Sequence, residues 1–309
     1  MRDHGNKGQE EIMEDLISVI MSTYNESLDE IKKSVESVLG QTYKRIEYIV
    51  VLDNPQNTEI KSYFKKLSDS RIKLIENKTN VGLVRSLNKA LQIANGTYIA
   101  RMDADDISAS DRLTNQISYL KENHLDMVGG SIDIIDETGQ IIGRQRFPQS
   151  SKQINFFLRW GACIPHPTWL VDKQVYLKLG GYRNIPDCED YDFICRAIQS
   201  GFKLGNVDKT VLQYRIRKNS ISNRNRARQY LIRDYISKHR GKYLSEKEIQ
   251  SYINSVAFKK DLLQYKKFQE MKKKLKEKGT IVNAIELLKN KYTYKLFSEK
   301  IGLKIRDNM

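Results

Sequence analysis

The stretch 82–106, which reads GLVRSLNKALQIANGTYIARMDADD, carries the signals that decide the fold of this chain. Its first part predicts a helix at 83–94, which Asn95-Gly96 closes because these residues favour turns. Residues 97–102 form a β-rich run that predicts a strand, and this strand leads directly into the acidic cluster Asp103-Ala-Asp105-Asp106. A helix that is followed at once by a strand with a polar end is typical of α/β sheets.

The same alternation of strand and helix runs through the residues before this stretch. Strands are predicted at 17–21, 45–53 and 72–75, where short apolar runs occur. Ser27 is a good N-cap for the helix after the first strand, and Gly40 is a suitable stop. Such alternation implies right-handed crossovers and a mostly parallel central sheet that is flanked by helices.

The pattern changes in the second half of the chain. A helix that Ser110 caps is followed by a predicted hairpin at 127–147 and by a further helix at 188–200. Two strands are then predicted, at 204–207 and 210–215. The remaining residues have a helical pattern that is rich in lysine.

Three regions follow from these patterns. We expect an N-terminal tail at 1–14, an α/β domain at 15–222 and a basic helical region at 223–309. The α/β domain divides after the acidic cluster, where the regular alternation ends, into the halves 15–106 and 107–222.

The charge and composition of the chain restrict its partners. The formal net charge is +15, which indicates an anionic partner: a nucleic acid, an anionic membrane surface or a phosphorylated substrate. Residues 259–309 hold 15 Lys and Arg against 6 Asp and Glu, so most of the excess lies there. The three cysteines show no disulfide or zinc spacing, the first 15 residues are polar, and no apolar run reaches the length of a spanning helix. We therefore expect a cytosolic protein with at most peripheral membrane contact.

The acidic cluster follows a strand, and ligands bind outside such strand ends in open α/β sheets. Its three carboxylates repel one another unless a partner compensates them, and Mg²⁺ or Mn²⁺ would do so. A solvated loop in which Asp106 or Ser108 acts as a cap is the alternative. The context favours a site, because Asp53 and residues 22–26 also end strands and residues 80–83 open a helix. Together these loops predict a pocket for a nucleotide diphosphate.

Ordered motifs across residues 15–220 resemble those of glycosyltransferase family 2. They are VIMSTYNE at 19–26, VLD at 51–53, NVGL at 80–83, ARMDADD at 100–106 and EDYD at 189–192. The resemblance implies a GT-A fold with a C-terminal helical extension, and an enzyme that inverts the anomeric carbon of a nucleotide sugar. It also implies that residues 15–106 bind the nucleotide sugar and that residues 107–222 bind the acceptor.

The resemblance assigns residues to the donor, a UDP-sugar, and to a metal ion. Asp105 is expected to be the principal ligand of Mn²⁺ or Mg²⁺, and Asp103 to approach the metal or the ribose. For Arg101, a salt bridge within the protein is an equal alternative to donor contact. Family members often carry a metal- or diphosphate-binding histidine after the last strand, where this chain has the cationic residues Arg215, Arg217 and Lys218. The expected donor-binding residues are Thr23, Tyr24, Glu26, Asp53, Asn80, Gly82, Arg85, Arg101, Asp103 and Arg217.

Glu189-Asp190, at the start of a predicted helix, resembles the acidic base motif of the family. Direct displacement needs a group that removes the proton of the acceptor hydroxyl, and we expect Asp190 to do so with Glu189 beside it. Acids that merely cap a helix are the alternative. His166 and Trp169 resemble the acceptor-side loop, although a hydrogen-bonded structural histidine and a tryptophan packed in the core are alternatives for them.

The resemblance extends to enzymes that build O-antigen or capsule repeat units. It implies transfer of glucose or galactose to a polyprenyl-diphosphate-linked N-acetylhexosamine at the inner face of the cell membrane. The basic C-terminal helices, including residues 271–278, are expected to bind anionic lipid, to pack on the catalytic domain or to form a homodimer. Two other classes stay open. A sugar-phosphate nucleotidyltransferase normally has a Gly-rich loop that residues 22–26 lack, and a non-enzymatic nucleic-acid-binding protein would need a motif that is not present, so we expect no nucleic-acid partner.

Overall fold

The structure, a computed structural model, describes residues 15–217 and 225–278, together with Leu287, Asn290, Tyr292 and Thr293. The expected tail at 1–14, Lys218 and most of the chain beyond residue 278 lie outside the described residues. In the part of the chain that is described, no helix is long and apolar enough to cross a membrane.

The first half of the chain builds four parallel strands in the order β3-β2-β1-β4. Every residue of β2 is buried, because helices cover both faces of the sheet. The strands are β1 (Ile17–Thr23), β2 (Ile46–Leu52), β3 (Ile72–Glu76) and β4 (Tyr98–Asp103), and the helices between them are α1 (Leu28–Leu39), α2 (Thr58–Lys66) and α3 (Leu83–Ile93).

These elements lie where the sequence predicts them, for local reasons. The side chain of Ser27 accepts a hydrogen bond from the backbone N–H of Glu30 at 3.3 Å, and the Glu30 carboxylate accepts one from the N–H of Ser27 at 2.8 Å. This reciprocal capping box fixes the start of α1 immediately after the β1 loop. The start of α1 therefore lies beside the carboxyl end of the sheet.

The second half extends the sheet with strands of both directions, so the whole sheet is mixed. The full order is β3-β2-β1-β4-β8-β6-β9-β5, and β7 pairs with β6. Strand β8 is antiparallel to β4 and β6, whereas β9 is parallel to β6. All pairs within the first half are parallel, as expected for a mostly parallel sheet, and the antiparallel pairs involve the added strands. The added elements are β5 (Ile107–Ser108), α4 (Arg112–Glu122), β6 (Met127–Ile135), β7 (Ile141–Gln145), α5 (Ser151–Phe157), a 3-10 turn (His166–Thr168), β8 (Leu170–Asp172), α6 (Lys173–Leu179), α7 (Glu189–Gln199) and β9 (Leu204–Arg215).

Two sequence predictions in this half were wrong in detail. The strands predicted at 204–207 and 210–215 form the single strand β9, whose register against β6 shifts near Gly130. At this shift the exposed residues Asp208 and Lys209 remain within the strand without pairing to β6, although they look like a turn in the sequence. Helix α4 begins after Asp111, one residue later than the predicted cap.

Three C-terminal helices pack on the α/β domain. They are α8 (Arg226–Lys238), α9 (Glu246–Asn254) and α10 (Val256–Lys278). Leu231 and Ile232 of α8 are buried in the same apolar cluster as Phe193 of α7. The ring of Tyr230 also stacks on that of Tyr265 in α10, with centroids 4.4 Å apart. The described part of this region is therefore continuous with the domain core.

Candidate active site

The carboxyl ends of β1, β2 and β4 lie side by side and carry the predicted polar residues. Ser22 pairs with Asp103 across β1 and β4, and Thr23 pairs with Leu52 across β1 and β2. Because the three strands are parallel, the loops that follow them emerge at one edge of the sheet. The motifs that are far apart in sequence therefore form one site.

The first loop holds Glu26 against the end of β1. Its carboxylate accepts hydrogen bonds from the hydroxyl of Thr23 and from the backbone N–H of Tyr24, both at 2.7 Å. The Tyr24 side chain is exposed, and a shallow cleft lies beside it. The cleft is lined by Thr23, Tyr24, Leu52, Asn54, Asn57 and Ile60.

Asp53, which follows β2, shapes the loop that opens α3. One carboxylate oxygen accepts hydrogen bonds from the Asn77 amide at 2.8 Å and the Val81 N–H at 2.9 Å, and the other accepts one from the Gly82 N–H at 2.8 Å. Asn80 also accepts a hydrogen bond from Gly82, whose φ of +85° suits glycine. Asp53 thus has a structural role beside the one predicted for it.

The loop held by Asp53 leaves the first N–H groups of α3 at the edge of the site. No side chain caps this helix at Gly82. The helix dipole and its open N–H groups favour an anion there. Arg85 lies in the first turn of α3, with its side chain exposed.

Arg101 lies beneath the acidic cluster and does not face the open side of the site. Its side chain is 1% exposed and forms an ion pair with Asp103. Burial lowers the pKa of Arg101, but the charges of Asp103, Tyr182 and Asp106 and the hydrogen bond to Asp103 together more than offset this, so the net shift is upward. The expected donor contact of Arg101 is therefore corrected: this guanidinium supports the Asp103 carboxylate from within the core. The neighbouring Arg112 is also buried, and it donates to the Arg101 carbonyl at 2.9 Å.

The three aspartates of the cluster occupy different environments. The Asp103 and Asp105 side chains are 32% and 25% exposed, whereas Asp106 is buried and its carboxylate accepts the backbone N–H of Arg215 at 2.8 Å. Burial and the charge of Asp103 raise the pKa of Asp105 to about 7. Burial and the charge of Asp105 raise the pKa of Asp106 well above its usual range. The cluster thus offers two open carboxylates, and the third fixes the β4–β5 turn to β9.

The partly exposed carboxylates of the acidic cluster suit a divalent cation that is also bound by phosphate oxygens of a substrate. Among the described residues, no group of three His, Cys, Asp or Glu side chains converges on one point. Asp103 and Asp105 are nevertheless hard oxygen ligands, and Mg²⁺ is usually held by one or two carboxylates together with phosphate oxygens and water. These residues would therefore supply part of a coordination sphere rather than a closed cage.

Arg217, which follows β9, reaches the open carboxylates. Its Nη2 lies 3.1 Å from Asp105 Oδ2 and 3.0 Å from Glu30 Oε2. Arg215, two residues earlier, is only 3% exposed; its Nε donates to the Asp105 carbonyl at 2.9 Å and lies 3.8 Å from Glu30 Oε1. Of these two arginines, Arg217 is the one whose charge lies at the edge of the site.

Glu189 and Asp190 lie in the first turn of α7. Burial and the charge of Asp190 raise the pKa of Glu189 to about 8. Burial also raises the pKa of Asp190, to which the nearby charge of Asp103 contributes. The Asp190 carboxylate accepts a hydrogen bond from the Tyr191 N–H at 2.6 Å. An acid of raised pKa at this position suits proton transfer near neutral pH.

The predicted acceptor-side residues belong to an aromatic cluster. Trp169 is 0% exposed, donates its indole N–H to the Ile164 carbonyl at 3.2 Å and packs on Phe193. The prediction that Trp169 binds the acceptor was therefore wrong, because its ring faces the core. His166 is half-buried, and its Nε2 lies 2.9 Å from the Tyr182 hydroxyl. Burial, with the charge of Arg101, holds the pKa of His166 well below its usual range.

Two residues at the site were not predicted from the sequence. Tyr214 is half-buried on β9 among four carboxyl groups, and burial together with those charges raises its pKa. Asp192 is buried, and it pairs with Arg183 and with Arg196, whose Nε lies 2.8 Å from its carboxylate. Asp192 lies within the EDYD motif, but the sequence does not show that its carboxylate turns inward to these two arginines, and the role of Tyr214 depends on neighbours distant along the chain.

The fold and this site define the chain as a protein of the GT-A class. The chain superposes on the mannosyltransferase PcManGT from Pyrobaculum calidifontis, whose structure was solved with GDP-Man and Mn²⁺. The match covers 93% of this chain and 84% of that chain, with a TM-score of 0.57 and 17% sequence identity. Residues 18–180 match the family described as Glycosyl transferase family 2. The chain belongs to glycosyltransferase family 2.

Two Escherichia coli proteins are similar over about two thirds of this chain. The O-antigen biosynthesis glycosyltransferase WbnJ is 35% identical over 213 residues, which are 67% of this chain and 82% of that protein. The UDP-Glc:alpha-D-GlcNAc-diphosphoundecaprenol beta-1,3-glucosyltransferase WfaP is 32% identical over 212 residues, which are 67% of this chain and 80% of that protein. Family membership sets aside the nucleotidyltransferase and nucleic-acid-binding alternatives.

Proposed function

We propose that this glycosyltransferase is an inverting, metal-dependent hexosyltransferase. It transfers glucose or galactose from a UDP-sugar to a polyprenyl-diphosphate-linked N-acetylhexosamine during assembly of bacterial O-antigen or capsule. The observation that carries the proposal is that two partly exposed carboxylates, Asp103 and Asp105, lie near the half-buried Asp190, whose pKa is raised by burial and by the charge of Asp103. The similarity to WfaP supports the choice of donor and acceptor, and that to WbnJ supports the pathway.

On the donor side, we assign the nucleoside to the cleft beside Thr23 and Tyr24, where Glu26 fixes the loop. The diphosphate would lie between the N-terminus of α3, with Asn80, Gly82 and Arg85, and the guanidinium of Arg217. Mn²⁺ or Mg²⁺ held by Asp103 and Asp105 would supply positive charge to the leaving diphosphate.

On the acceptor side, Asp190 removes the proton of the attacking hydroxyl as the bond to the anomeric carbon forms. Its raised pKa keeps it basic enough for this step, and the second acid, Glu189, whose pKa is raised to about 8, is mostly protonated at neutral pH. Attack opposite the leaving UDP inverts the anomeric carbon. His166, which contacts the hydroxyl of Tyr182, is proposed to line the acceptor site.

A lysine-rich face of α10 supports peripheral attachment to the inner face of the cell membrane. Phe258, Tyr265 and Phe268 are buried toward the protein, and the opposite side is exposed. That side follows helical spacing and consists of Val256, Lys259, Lys260, Leu263, Lys266, Lys267, Glu270, Lys273 and Lys274. Each lysine near an anionic bilayer contributes about 1 kcal/mol, so this face suffices for reversible binding. The same face is the proposed contact if the chain forms a homodimer.

The experiment that tests the function measures transfer and donor binding separately. Purified protein is assayed with UDP-glucose, UDP-galactose and an N-acetylglucosamine-diphosphate lipid in the presence of Mn²⁺ or Mg²⁺. We expect Asp190→Asn to lower kcat about 100-fold or more while UDP-sugar binding persists. We expect Asp105→Ala to abolish metal-dependent donor binding.

Asp208→Asn, which changes an exposed aspartate in the β9 strand, is the matched control and should leave both measurements unchanged. Unaltered transfer by Asp190→Asn would overturn the assignment of the base. Metal-independent turnover would overturn the role given to Asp103 and Asp105.

A further inference from the structure

The loop that leads into the base motif is held by the C-terminal region. Asp187, two residues before Glu189, has a φ of +63°, in the left-handed region that only a few per cent of non-glycine residues adopt. This backbone conformation turns the chain into α7 and thereby sets the direction in which the first turn of the helix points. Asp187 therefore fixes where Asp190 lies.

Two residues at the start of α8 hold Asp187 in that conformation. The side-chain amide of Gln229 donates to the Asp187 carbonyl at 2.9 Å, and that of Asn225 donates to the Asp187 carboxylate at 2.9 Å. The Gln229 carbonyl also accepts a hydrogen bond from the thiol of Cys188 at 3.3 Å. Three hydrogen bonds thus join one turn of α8 to the two residues that precede the base motif.

This arrangement gives α8 a role that neither packing nor membrane attachment requires. Asp187 alone would not favour the left-handed conformation, because it is less stable than the right-handed one by about 1–2 kcal/mol for an L-residue. The backbone carbonyl and the side-chain carboxylate of Asp187 each accept a hydrogen bond from α8 or its cap, so rotation of this backbone out of the left-handed conformation would break both hydrogen bonds. Helix α8 is buried against α7 through Leu231 and Ile232, which makes it a rigid support.

We infer that Gln229 and Asn225 are positioning residues for transfer, which act by holding Asp187 so that Asp190 meets the acceptor hydroxyl. The inference rests on the proposed role of Asp190 as the base. It assigns part of the catalytic geometry to the C-terminal helices, outside the segment 18–180 that matches the family. Misplacement of a reacting group by about 1 Å costs on the order of 100-fold in rate, so loss of part of this support should be measurable.

The test compares Gln229→Ala and Asn225→Ala in the full-length chain with Gln199→Ala. Gln199 lies at the other end of α7, and its amide likewise donates to a carbonyl of the C-terminal region, that of Arg240, at 2.7 Å. We expect Gln229→Ala and Asn225→Ala each to lower kcat about tenfold without changing the KM for the UDP-sugar. Gln199→Ala should leave kcat unchanged, and melting temperatures should confirm that all three variants are folded.

Two further comparisons separate positioning from a general structural effect. In an Asp190→Asn background, Gln229→Ala should have no further effect on the residual rate, because both changes act on one group. Asp187→Asn, which tolerates the left-handed conformation and keeps an acceptor for Asn225, should retain most of kcat, whereas Asp187→Ala should lose it.

The outcomes distinguish this inference from the proposed function. If Asp190→Asn is inactive but Gln229→Ala and Asn225→Ala transfer at the rate of the unaltered enzyme, the inference is overturned and the base assignment stands. If the double variant loses rate additively, Gln229 acts through general stability and the inference also fails. If Asp190→Asn is fully active, the proposed function itself fails.

Discussion

Arg217 Nη2 lies 3.1 Å from Asp105 Oδ2 and is shared with Glu30, whose Oε2 lies 3.0 Å away. The carboxylate that we propose as the principal metal ligand is therefore paired with a cationic side chain that follows the strand β9. The same guanidinium lies within reach of any diphosphate that Asp105 and its metal would bind. This pairing connects the capped start of α1, the end of β4 and the end of β9.

Replacement of Arg217 by alanine tests this relationship. We expect the KM for the UDP-sugar to rise about tenfold, because one charge-assisted contact to the diphosphate is lost. Steady-state kinetics at saturating Mn²⁺ would measure it. Arg144→Ala is a suitable control, because Arg144 pairs with Asp133 at 2.6 Å on the β6–β7 hairpin. An unchanged donor KM in Arg217→Ala would contradict the contact.

Cation binding should depend on pH through Asp105. Burial and the charge of Asp103 raise the pKa of Asp105 to about 7, so the side chain holds a proton below that pH and is ionised above it. Only the ionised form binds a cation, so the affinity for Mn²⁺ should fall as pH decreases through 7, by up to about tenfold per pH unit. Calorimetric titration of Mn²⁺ with UDP between pH 6 and 8 would detect this change. Constant affinity over that range would exclude Asp105 as the titrating ligand.

Trp169 should matter for stability rather than for acceptor recognition. Its buried ring packs on Tyr182 and Phe193, so Trp169→Ala should lower the free energy of unfolding by about 3–5 kcal/mol. Phe156→Ala, which removes a ring that is 49% exposed, should have a much smaller effect. Urea unfolding of both variants makes the comparison. A Trp169→Ala protein of unchanged stability would return this residue to the acceptor site.

The lysine-rich face of α10 should bind anionic bilayers. We expect weaker binding to phosphatidylglycerol vesicles from a variant in which four lysines, Lys259, Lys260, Lys266 and Lys267, are all changed to glutamine. The affinity should fall by about 100-fold or more, because several contacts of about 1 kcal/mol each are lost. Vesicle sedimentation would measure the binding, with uncharged phosphatidylcholine vesicles for comparison.

The control removes the same charge elsewhere, by changing the exposed residues Lys32, Lys33, Lys65 and Lys66 to glutamine. If both sets reduced vesicle binding equally, net charge rather than the α10 face would be responsible. That result would remove the support for attachment through this helix.

The sequence alone determined the alternation of strands and helices and the position of each motif at an element end. These are local properties: the apolar run of β2, the capping box of Ser27 and Glu30, and the turn at Gly82 act within a few residues. The acidic cluster is likewise recognisable because it directly follows β4. For the same reason, the family resemblance can be recognised in the order of the motifs along the chain.

Only the tertiary structure decided which of these side chains face the site. Asp103 and Asp105 are open and Asp106 is buried because β9 crosses beside the turn and its Arg215 N–H holds Asp106. The directions of Arg101 and Trp169 likewise depend on the packing of β4 against β8. Burial and the charge of Asp103 raise the pKa of Asp190, because the fold brings near each other two residues that are far apart in sequence, and α8 holds the loop before Asp190. Such contacts leave no local pattern, because the residues that make them are adjacent only in the folded chain.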